Sequence, residues 1–176
     1  MKENSLDTSL NINLITRELI DLLKEKNLKI AIAESCTGGL ISKLITDIPG
    51  ASSVFECGVC TYSDSMKEKV LSVSSKTLKA HTAVSKETAM EMAAGVRKIS
   101  NADLGLSTTG YAGPKIKNST DEVGLVYVGL SNMTKTTFIK LNLDRGFIND
   151  RDYIRNAAAY NALLAALNII KTGVVK

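Results

Sequence analysis

Apolar positions along the chain recur with two spacings, one typical of helices and one of buried strands. At 11–27 they recur three and four residues apart, which predicts an amphipathic helix. A short, largely apolar run at 28–33 predicts a buried strand. The helical spacing returns at 40–48, where Pro49 and Gly50 end the second predicted helix.

The rest of the chain continues this alternation. Irregular connections are expected at 72–84 and 109–122, and the polar residues 1–10 are expected to be flexible. The remaining predicted elements are strands at 54–62, 104–108, 123–131 and 136–143 and helices at 63–71, 85–99 and 149–170. Strand–helix alternation with a late hairpin predicts a three-layer α/β/α sandwich with a mixed sheet of about five strands. No repeat or composition break divides 11–176, which predicts a single domain.

Composition narrows the function classes. Apolar residues make up 44% and charged residues 23% of the 176 residues, as in ordinary globular proteins. A net charge of +4 with 5% aromatic residues and no Trp argues against a nucleic-acid partner, which needs a basic stripe or a stacking platform. No apolar run approaches the roughly 20 residues that span a bilayer, so we expect a cytoplasmic protein without a membrane partner.

The three cysteines do not suggest a disulfide framework, because their number is odd. Cys57 and Cys60 form a CxxC pair, but they lie within a predicted strand, where residues three apart point to opposite faces. Redox CxxC pairs normally begin a helix. A thiol oxidoreductase and a zinc site are therefore both disfavoured, and no metal is expected.

Ser35 is the first candidate catalytic residue, because it lies between a buried strand and the start of a helix. Ligands of open α/β sheets bind at this edge, and N–H groups at the helix start are suited to stabilise an oxyanion. Gly38 and Gly39 would let a substrate approach the backbone. The competing interpretation is that Ser35 or Thr37 simply caps the helix.

A serine nucleophile needs a base. His81, the one histidine, would complete a Ser–His arrangement. Lys67 is the alternative, since burial lowers the pKa of a lysine, and it follows Tyr62 closely enough to place amine and phenol at one sheet edge. A solvated Lys67 and a packing Tyr62 are the structural alternative.

Two further segments are suited to a ligand. The loop that begins at Thr109-Gly110 offers a hydroxyl and backbone N–H groups, although it also reads as a plain turn. Arg151 and Arg155 share one face of the first turns of the last helix, where the helix dipole favours anions. Arg145 lies just upstream. Pairing of these arginines with acidic neighbours such as Asp150 or Asp152 is the competing explanation.

Seven blocks of sequence, in order, resemble the CinA C-terminal-domain family over about residues 12–170. The blocks are 33–39 (AESCTGG), 46–52 (TDIPGAS), 61–63 (TYS) with Lys67, 81–85 (HTAVS), 109–114 (TGYAGP), 123–127 (VGLVY) and 150–151 (DR) with Arg155. Relatives of full length carry an additional N-terminal pyrophosphatase-type domain. This chain is too short for that domain and resembles the stand-alone form.

The resemblance implies an amidohydrolase that converts nicotinamide mononucleotide to nicotinic acid mononucleotide and ammonia. It implies Ser35 as the nucleophile and Lys67 with Tyr62 as its activating partners. The expected ligand is a small nucleotide, and no cofactor is implied. The positions implied to bind substrate are Thr37, Gly38, Gly39, Thr109, Gly110, Gly113, Arg151 and Arg155.

The chain departs from the family pattern at 115–122, which reads KIKNSTDE where the family usually has a glycine pair and later Lys-Pro. Asn149 replaces a usual glycine. The carboxylates of Asp121 and Glu122 are expected to weaken binding of a phosphate, while Lys115 and Lys117 offset them. The alternative function is thus a catalytically impaired nucleotide-binding or regulatory module. The oligomeric state stays open, and a homodimer or higher homo-oligomer would fit a pocket bordered by loops.

Overall fold

The computed structural model describes residues 3–114, 122–147 and 150–172. Within these ranges helices and strands alternate as the hydrophobic pattern predicts. The helices are α1 (Glu3–Glu25), α2 (Leu40–Thr46), α3 (Asp64–Leu71), α4 (Ser75–His81), α5 (Lys86–Ser100) and α6 (Arg151–Thr172). The strands are β1 (Ile30–Glu34), β2 (Phe55–Cys60), β3 (Leu104–Gly110), β4 (Leu125–Ser131) and β5 (Thr136–Asn142).

The five strands form one mixed sheet in the order β2-β1-β3-β4-β5. β1 pairs in parallel with both β2 and β3, while β4 pairs antiparallel with β3 and with β5. The predicted mixed sheet with a late hairpin is therefore confirmed. Because β1, β2 and β3 run in the same direction, their carboxyl ends meet at one edge of the sheet.

Helices cover both faces of this sheet. α1, α2 and α6 pack on one face, and α5, joined by α3 and α4, packs on the other. β1 and the first six residues of β3 are buried, which explains the apolar sequence of β1 before Glu34. The predicted α/β/α sandwich is confirmed.

Serine hydroxyls define where three helices begin. The side chains of Ser63, Ser74 and Ser85 accept hydrogen bonds from backbone N–H groups in the first turns of α3, α4 and α5. Ser63 and Ser85 are also the residues at which the predicted helices 63–71 and 85–99 begin. No helix in the described ranges is long and apolar enough to cross a bilayer.

Two predictions about the elements are wrong: one helix was missed, and another begins earlier than expected. α4 lies within 72–84, where we expected an irregular connection; it has seven residues and buries only Leu78, so it leaves almost no hydrophobic period to detect. α1 begins at Glu3 rather than at Asn11. The expected flexibility of residues 1–10 stays a prediction, and residues 1–2 lie outside the described ranges.

Candidate active site

The parallel strand ends bring Ser35, Lys67 and Thr109 to one cleft. Ser35 follows β1, Lys67 lies on the helix that follows β2, and Thr109 lies at the end of β3. The cleft opens to solvent and holds about 490 Å³ of free space, solvent included. Its lining residues are Ser35, Cys36, Tyr62, Lys67, Ala83, Val84, Thr109, Gly110, Ala112 and Arg151.

Lys67 and Ser35 are hydrogen-bonded in this cleft. Lys67 Nζ donates to Ser35 Oγ at 3.3 Å, to the carbonyl of Thr61 at 3.0 Å and to the carbonyl of Tyr62 at 3.3 Å. The Lys67 side chain is 1% exposed, so the interpretation of Lys67 as a solvated helix lysine is wrong. The amine therefore sits at a fixed position beside a serine hydroxyl.

The surroundings of Lys67 favour its neutral form. Burial lowers the pKa of the Lys67 amine below its ordinary value, because a charge is poorly stabilised away from water. The carboxylate of Asp64, at 4.0 Å, and the Cys36 thiol act in the opposite direction. A buried lysine with a lowered pKa is a competent proton acceptor for a serine.

Tyr62 contributes to the cleft in two ways. Its backbone carbonyl accepts the Lys67 hydrogen bond, whereas its phenol, on a 65% exposed residue, accepts a hydrogen bond from Arg151 Nη2 at 3.3 Å. In the described part of the chain the phenol bonds neither Ser35 nor Lys67. An exposed phenol paired with Arg151 also contradicts the interpretation of Tyr62 as a packing residue.

His81 lies at the end of α4 and does not line the cleft. Its nearest acidic group is Glu87, with 3.9 Å between His81 Nδ1 and Glu87 Oε2. Among the described residues, Lys67 rather than His81 is hydrogen-bonded to Ser35. The Ser–Lys alternative is thus the one that the geometry supports.

Glu34, which precedes Ser35, stabilises the turn that carries the serine. Its buried carboxylate accepts hydrogen bonds from the N–H groups of Gly39, Ile41 and Ser42 at 2.9, 3.1 and 2.9 Å, and from Ser42 Oγ at 2.7 Å. This role could not be predicted from the sequence, because a Glu at the end of an apolar strand does not indicate which groups it binds.

The contacts of Glu34 correct two expectations. Neither Ser35 nor Thr37 caps α2, whose N-cap residue is Gly39 and has no side-chain cap bond. The N–H groups at the start of α2 are occupied by Glu34, so they are not free to bind an oxyanion. In the described ranges, the N–H group of Cys36 donates to no backbone or side-chain oxygen and belongs to a residue that lines the cleft.

The glycine turn after Ser35 needs its glycines. Gly38 and Gly39 have φ angles of 60° and 91°, a conformation that L side chains rarely adopt. Thr37 is fully buried, and its hydroxyl lies 2.7 Å from that of Thr108. These three predicted substrate-binding residues lie beside the cleft but are not among its lining residues.

Arg151 and Arg155 are bound to oxygens other than carboxylates. Arg151 donates to the carbonyl of Gly113 as well as to the Tyr62 phenol, and Arg155 Nη2 donates to the carbonyl of Thr37 at 2.8 Å. No ion pair of either guanidinium occurs within 12–114, 122–147 and 150–172. The expected pairing with acidic neighbours is therefore wrong for both arginines.

Arg145, in contrast, is paired. Its Nε and Nη2 donate to the two carboxylate oxygens of Asp150 at 2.9 and 2.6 Å, and its guanidinium lies 3.5 Å from the centre of the Tyr153 ring. The competing explanation that we gave for the arginines is thus confirmed at Arg145. Arg151 is the cation that lines the cleft.

The β3 end of the cleft is more closed than the sequence suggested. Thr109 is 1% exposed, and its hydroxyl donates to the carbonyl of Ala83 at 2.7 Å. Gly110 lines the cleft, while Gly113 contributes the carbonyl that binds Arg151. Residues 115–121 and Asn149, where the chain departs from the family pattern, lie outside the described residues.

The cysteines offer no second nucleophile. Burial raises the pKa of the Cys36 thiol to about 12, so it stays protonated at neutral pH. Cys57 and Cys60 are free thiols, which confirms that the CxxC pair forms no disulfide. Cys57 is half-buried and Cys60 is exposed.

Comparisons with known proteins agree with the fold and with the sequence blocks. The sequence pattern of the CinA C-terminal domain matches residues 13–170. A protein of Caldanaerobacter subterraneus, named as a competence-damage inducible protein, is 53% identical over 144 residues, which cover 82% of this chain and 34% of the relative. A similarly named protein of Acetivibrio thermocellus is 48% identical over 141 residues, which cover 80% of this chain and 33% of the relative. The chain thus spans about a third of the length of these curated relatives.

Solved structures show the same architecture. The competence damage-inducible protein A of Klebsiella pneumoniae superposes with a TM-score of 0.84 at 27% identity, over 92% of this chain and 98% of that one. The competence/damage-inducible protein of Agrobacterium tumefaciens superposes with a TM-score of 0.82 at 34% identity, over 90% and 96% of the two chains. Together with the matched residues, these similarities establish that the chain belongs to the CinA C-terminal domain family.

Proposed function

We propose that this chain hydrolyses the carboxamide of nicotinamide mononucleotide, yielding nicotinic acid mononucleotide and ammonia. The observation that carries the proposal is the buried contact of 3.3 Å between Lys67 Nζ and Ser35 Oγ. A serine beside a desolvated lysine is one of the arrangements that can activate a nucleophile for amide hydrolysis. The family resemblance supplies the substrate.

The first half of the reaction forms an acyl-enzyme. Ser35 Oγ attacks the carboxamide carbon while its proton passes to Lys67 Nζ. The tetrahedral oxyanion accepts a hydrogen bond from the backbone N–H group of Cys36. Lys67 then gives its proton to the amide nitrogen, the C–N bond breaks, and ammonia leaves an ester on Ser35.

Water completes the cycle. It attacks the ester while Lys67 accepts one of its protons, and the tetrahedral intermediate collapses to the carboxylic acid and a Ser35 hydroxyl that regains the proton from Lys67. Tyr62 assists through its carbonyl, which helps to hold the amine of Lys67. No step needs a metal or a redox cofactor.

The arginines fit the anionic end of this substrate. Arg151 lines the cleft, is bound only to a phenol and a carbonyl among the described residues, and begins α6, where the helix dipole also favours a phosphate. Arg155 supports the glycine turn by donating a hydrogen bond to the carbonyl of Thr37. A phosphate held at Arg151 would orient the carboxamide towards Ser35.

The direct test is ammonia release from nicotinamide mononucleotide by the purified protein, with calorimetric binding of the same nucleotide in parallel. Nicotinamide riboside and nicotinamide serve as controls that lack the phosphate. Turnover that requires the phosphate supports the proposal. Binding without turnover would identify a nucleotide-binding module instead, and the absence of both would mean that this chain acts on another compound.

A further inference from the structure

Lys67 has one carboxylate neighbour within ion-pair distance in the described part of the chain. Its other close partners, Ser35 Oγ and the carbonyls of Thr61 and Tyr62, carry no charge. Asp64 Oδ1 lies 4.0 Å from Lys67 Nζ. Asp64 is the first residue of α3 and Lys67 the fourth, so the two side chains lie on the same side of the helix.

The two members of this pair differ in exposure. The side chain of Lys67 is 1% exposed, whereas that of Asp64 is 59% exposed. The carboxylate is thus a solvated charge at the rim, directed at an amine that is removed from water. It stabilises the protonated amine without being buried, and solvent and salt weaken its effect.

The reaction needs Lys67 in both protonation states. The neutral amine accepts the serine proton, and the ammonium donates to the leaving nitrogen. Burial alone favours the neutral amine, and the Asp64 carboxylate is the larger of the two influences that oppose burial, the other being the Cys36 thiol. A carboxylate at this position can therefore keep both the neutral and the protonated form of the Lys67 amine accessible during the reaction.

The other polar and titratable groups around the cleft do not supply a free negative charge that would stabilise the protonated Lys67 amine. The Cys36 thiol stays protonated, and the Tyr62 phenol is bound to Arg151. The carboxylate of Glu34 is bound by N–H groups at the start of α2 and by Ser42 Oγ. Arg151 also lines the cleft, and its guanidinium donates to the carbonyl of Gly113 and to the Tyr62 phenol.

We propose that Asp64 is a positioning residue that sets the charge state of the Lys67 amine and thereby the pH range in which the site works. The pH dependence of activity rests on the proposed amidohydrolase function, whereas the charge state of Lys67 is a property of the protein without substrate. The two can therefore be tested separately.

The substrate-free test is an NMR titration of the Lys67 amine in protein labelled at the lysine Cε carbon. In Asp64→Asn the midpoint should move to lower pH by roughly half a unit, the size expected for one partly exposed ion pair. The matched control is Glu68→Gln, which removes the same charge from an exposed side chain on the same helix and should leave the midpoint unchanged. Asp64→Glu keeps the carboxylate, so its Lys67 midpoint should lie close to that of the parent protein.

The kinetic test follows the acid limb of kcat/KM against pH. It should move to lower pH in Asp64→Asn, and added salt should move the limb of the parent protein in the same direction but not that of the variant. An unchanged Lys67 midpoint in Asp64→Asn, or an equal shift in Glu68→Gln, overturns the role of Asp64. A parent protein that shows the expected titration but no ammonia release contradicts the proposed function alone.

Discussion

The buried carboxylate of Glu34 accepts hydrogen bonds from both the backbone N–H and the hydroxyl of Ser42, at 2.9 and 2.7 Å. Through these bonds and those from Gly39 and Ile41 it satisfies the start of α2, which otherwise has no side-chain cap. Because Glu34 is covalently joined to Ser35, the same carboxylate fixes the turn that presents the nucleophile. Glu34 therefore both caps α2 and supports the turn that carries Ser35.

Replacing Glu34 by Gln should lower the free energy of unfolding by about 2 kcal/mol, because one acceptor oxygen becomes an NH₂ group facing buried N–H donors. The matched control, Ser42→Ala, removes one of the four hydrogen bonds and should lose about 1 kcal/mol. Urea unfolding measures both. Equal losses in the two variants would mean that the carboxylate does not organise the turn.

Tyr62→Phe tests how the phenol contributes. Since the phenol bonds Arg151 and the backbone carbonyl bonds Lys67, removing the hydroxyl should leave kcat within roughly tenfold and act mainly on KM. The measurement is steady-state ammonia release by Tyr62→Phe and the parent. A fall in kcat of ~100-fold or more, the size expected for an essential proton-transfer group, would assign the phenol to the proton transfer instead.

Arg151→Ala should raise the KM for nicotinamide mononucleotide by at least ~10-fold, because a charge-assisted hydrogen bond contributes about 1.5–3 kcal/mol. Any residual turnover of nicotinamide riboside, which lacks the phosphate, should change much less. Arg17→Ala, which removes the same charge from the exposed face of α1, is the control. Equal effects on both substrates would show that Arg151 does not hold the phosphate.

Thr82 has strained backbone angles just before Ala83 and Val84, which line the cleft. Its φ of 66° and ψ of 174° fall in a region that is nearly restricted to glycine. Relief of strain on the order of 1–3 kcal/mol exceeds the entropic cost of a glycine, about 0.5–1 kcal/mol, so Thr82→Gly should stabilise the fold by about 1 kcal/mol. Thr82→Ala keeps the Cβ atom and should gain nothing. A urea midpoint that moves equally in both variants, or falls in Thr82→Gly, would contradict the strain.

The sequence was sufficient to predict the layers and the sheet, because long elements carry clear periods. β1 reads as a short apolar run since it is buried on both faces. α4 was missed because a helix of seven residues with one buried side chain has no period to measure. Its start at Ser74 also looks like any serine in a loop.

The candidate site was predictable only in part. Ser35 and Lys67 could be singled out by their places at strand ends, but the distance between them depends on parallel pairing of β1 with β2, which spacing does not reveal. The partner of Arg155 was beyond reach because it lies in a distant part of the chain, and the partners of Glu34 because a Glu that ends an apolar strand does not reveal what it binds. The bond between Arg155 and the carbonyl of Thr37 joins residues 118 positions apart in the chain.

The central claim is that Ser35 and Lys67 act as one nucleophile and base. The most direct measurement is ammonia release from nicotinamide mononucleotide by Ser35→Ala and Lys67→Ala, beside the exposed controls Ser52→Ala and Lys69→Ala. Both site variants should lose at least ~100-fold in kcat, as expected when a principal catalytic group is removed. Both control variants should keep the parent rate. An active parent whose rate survives in Ser35→Ala or in Lys67→Ala would contradict the account.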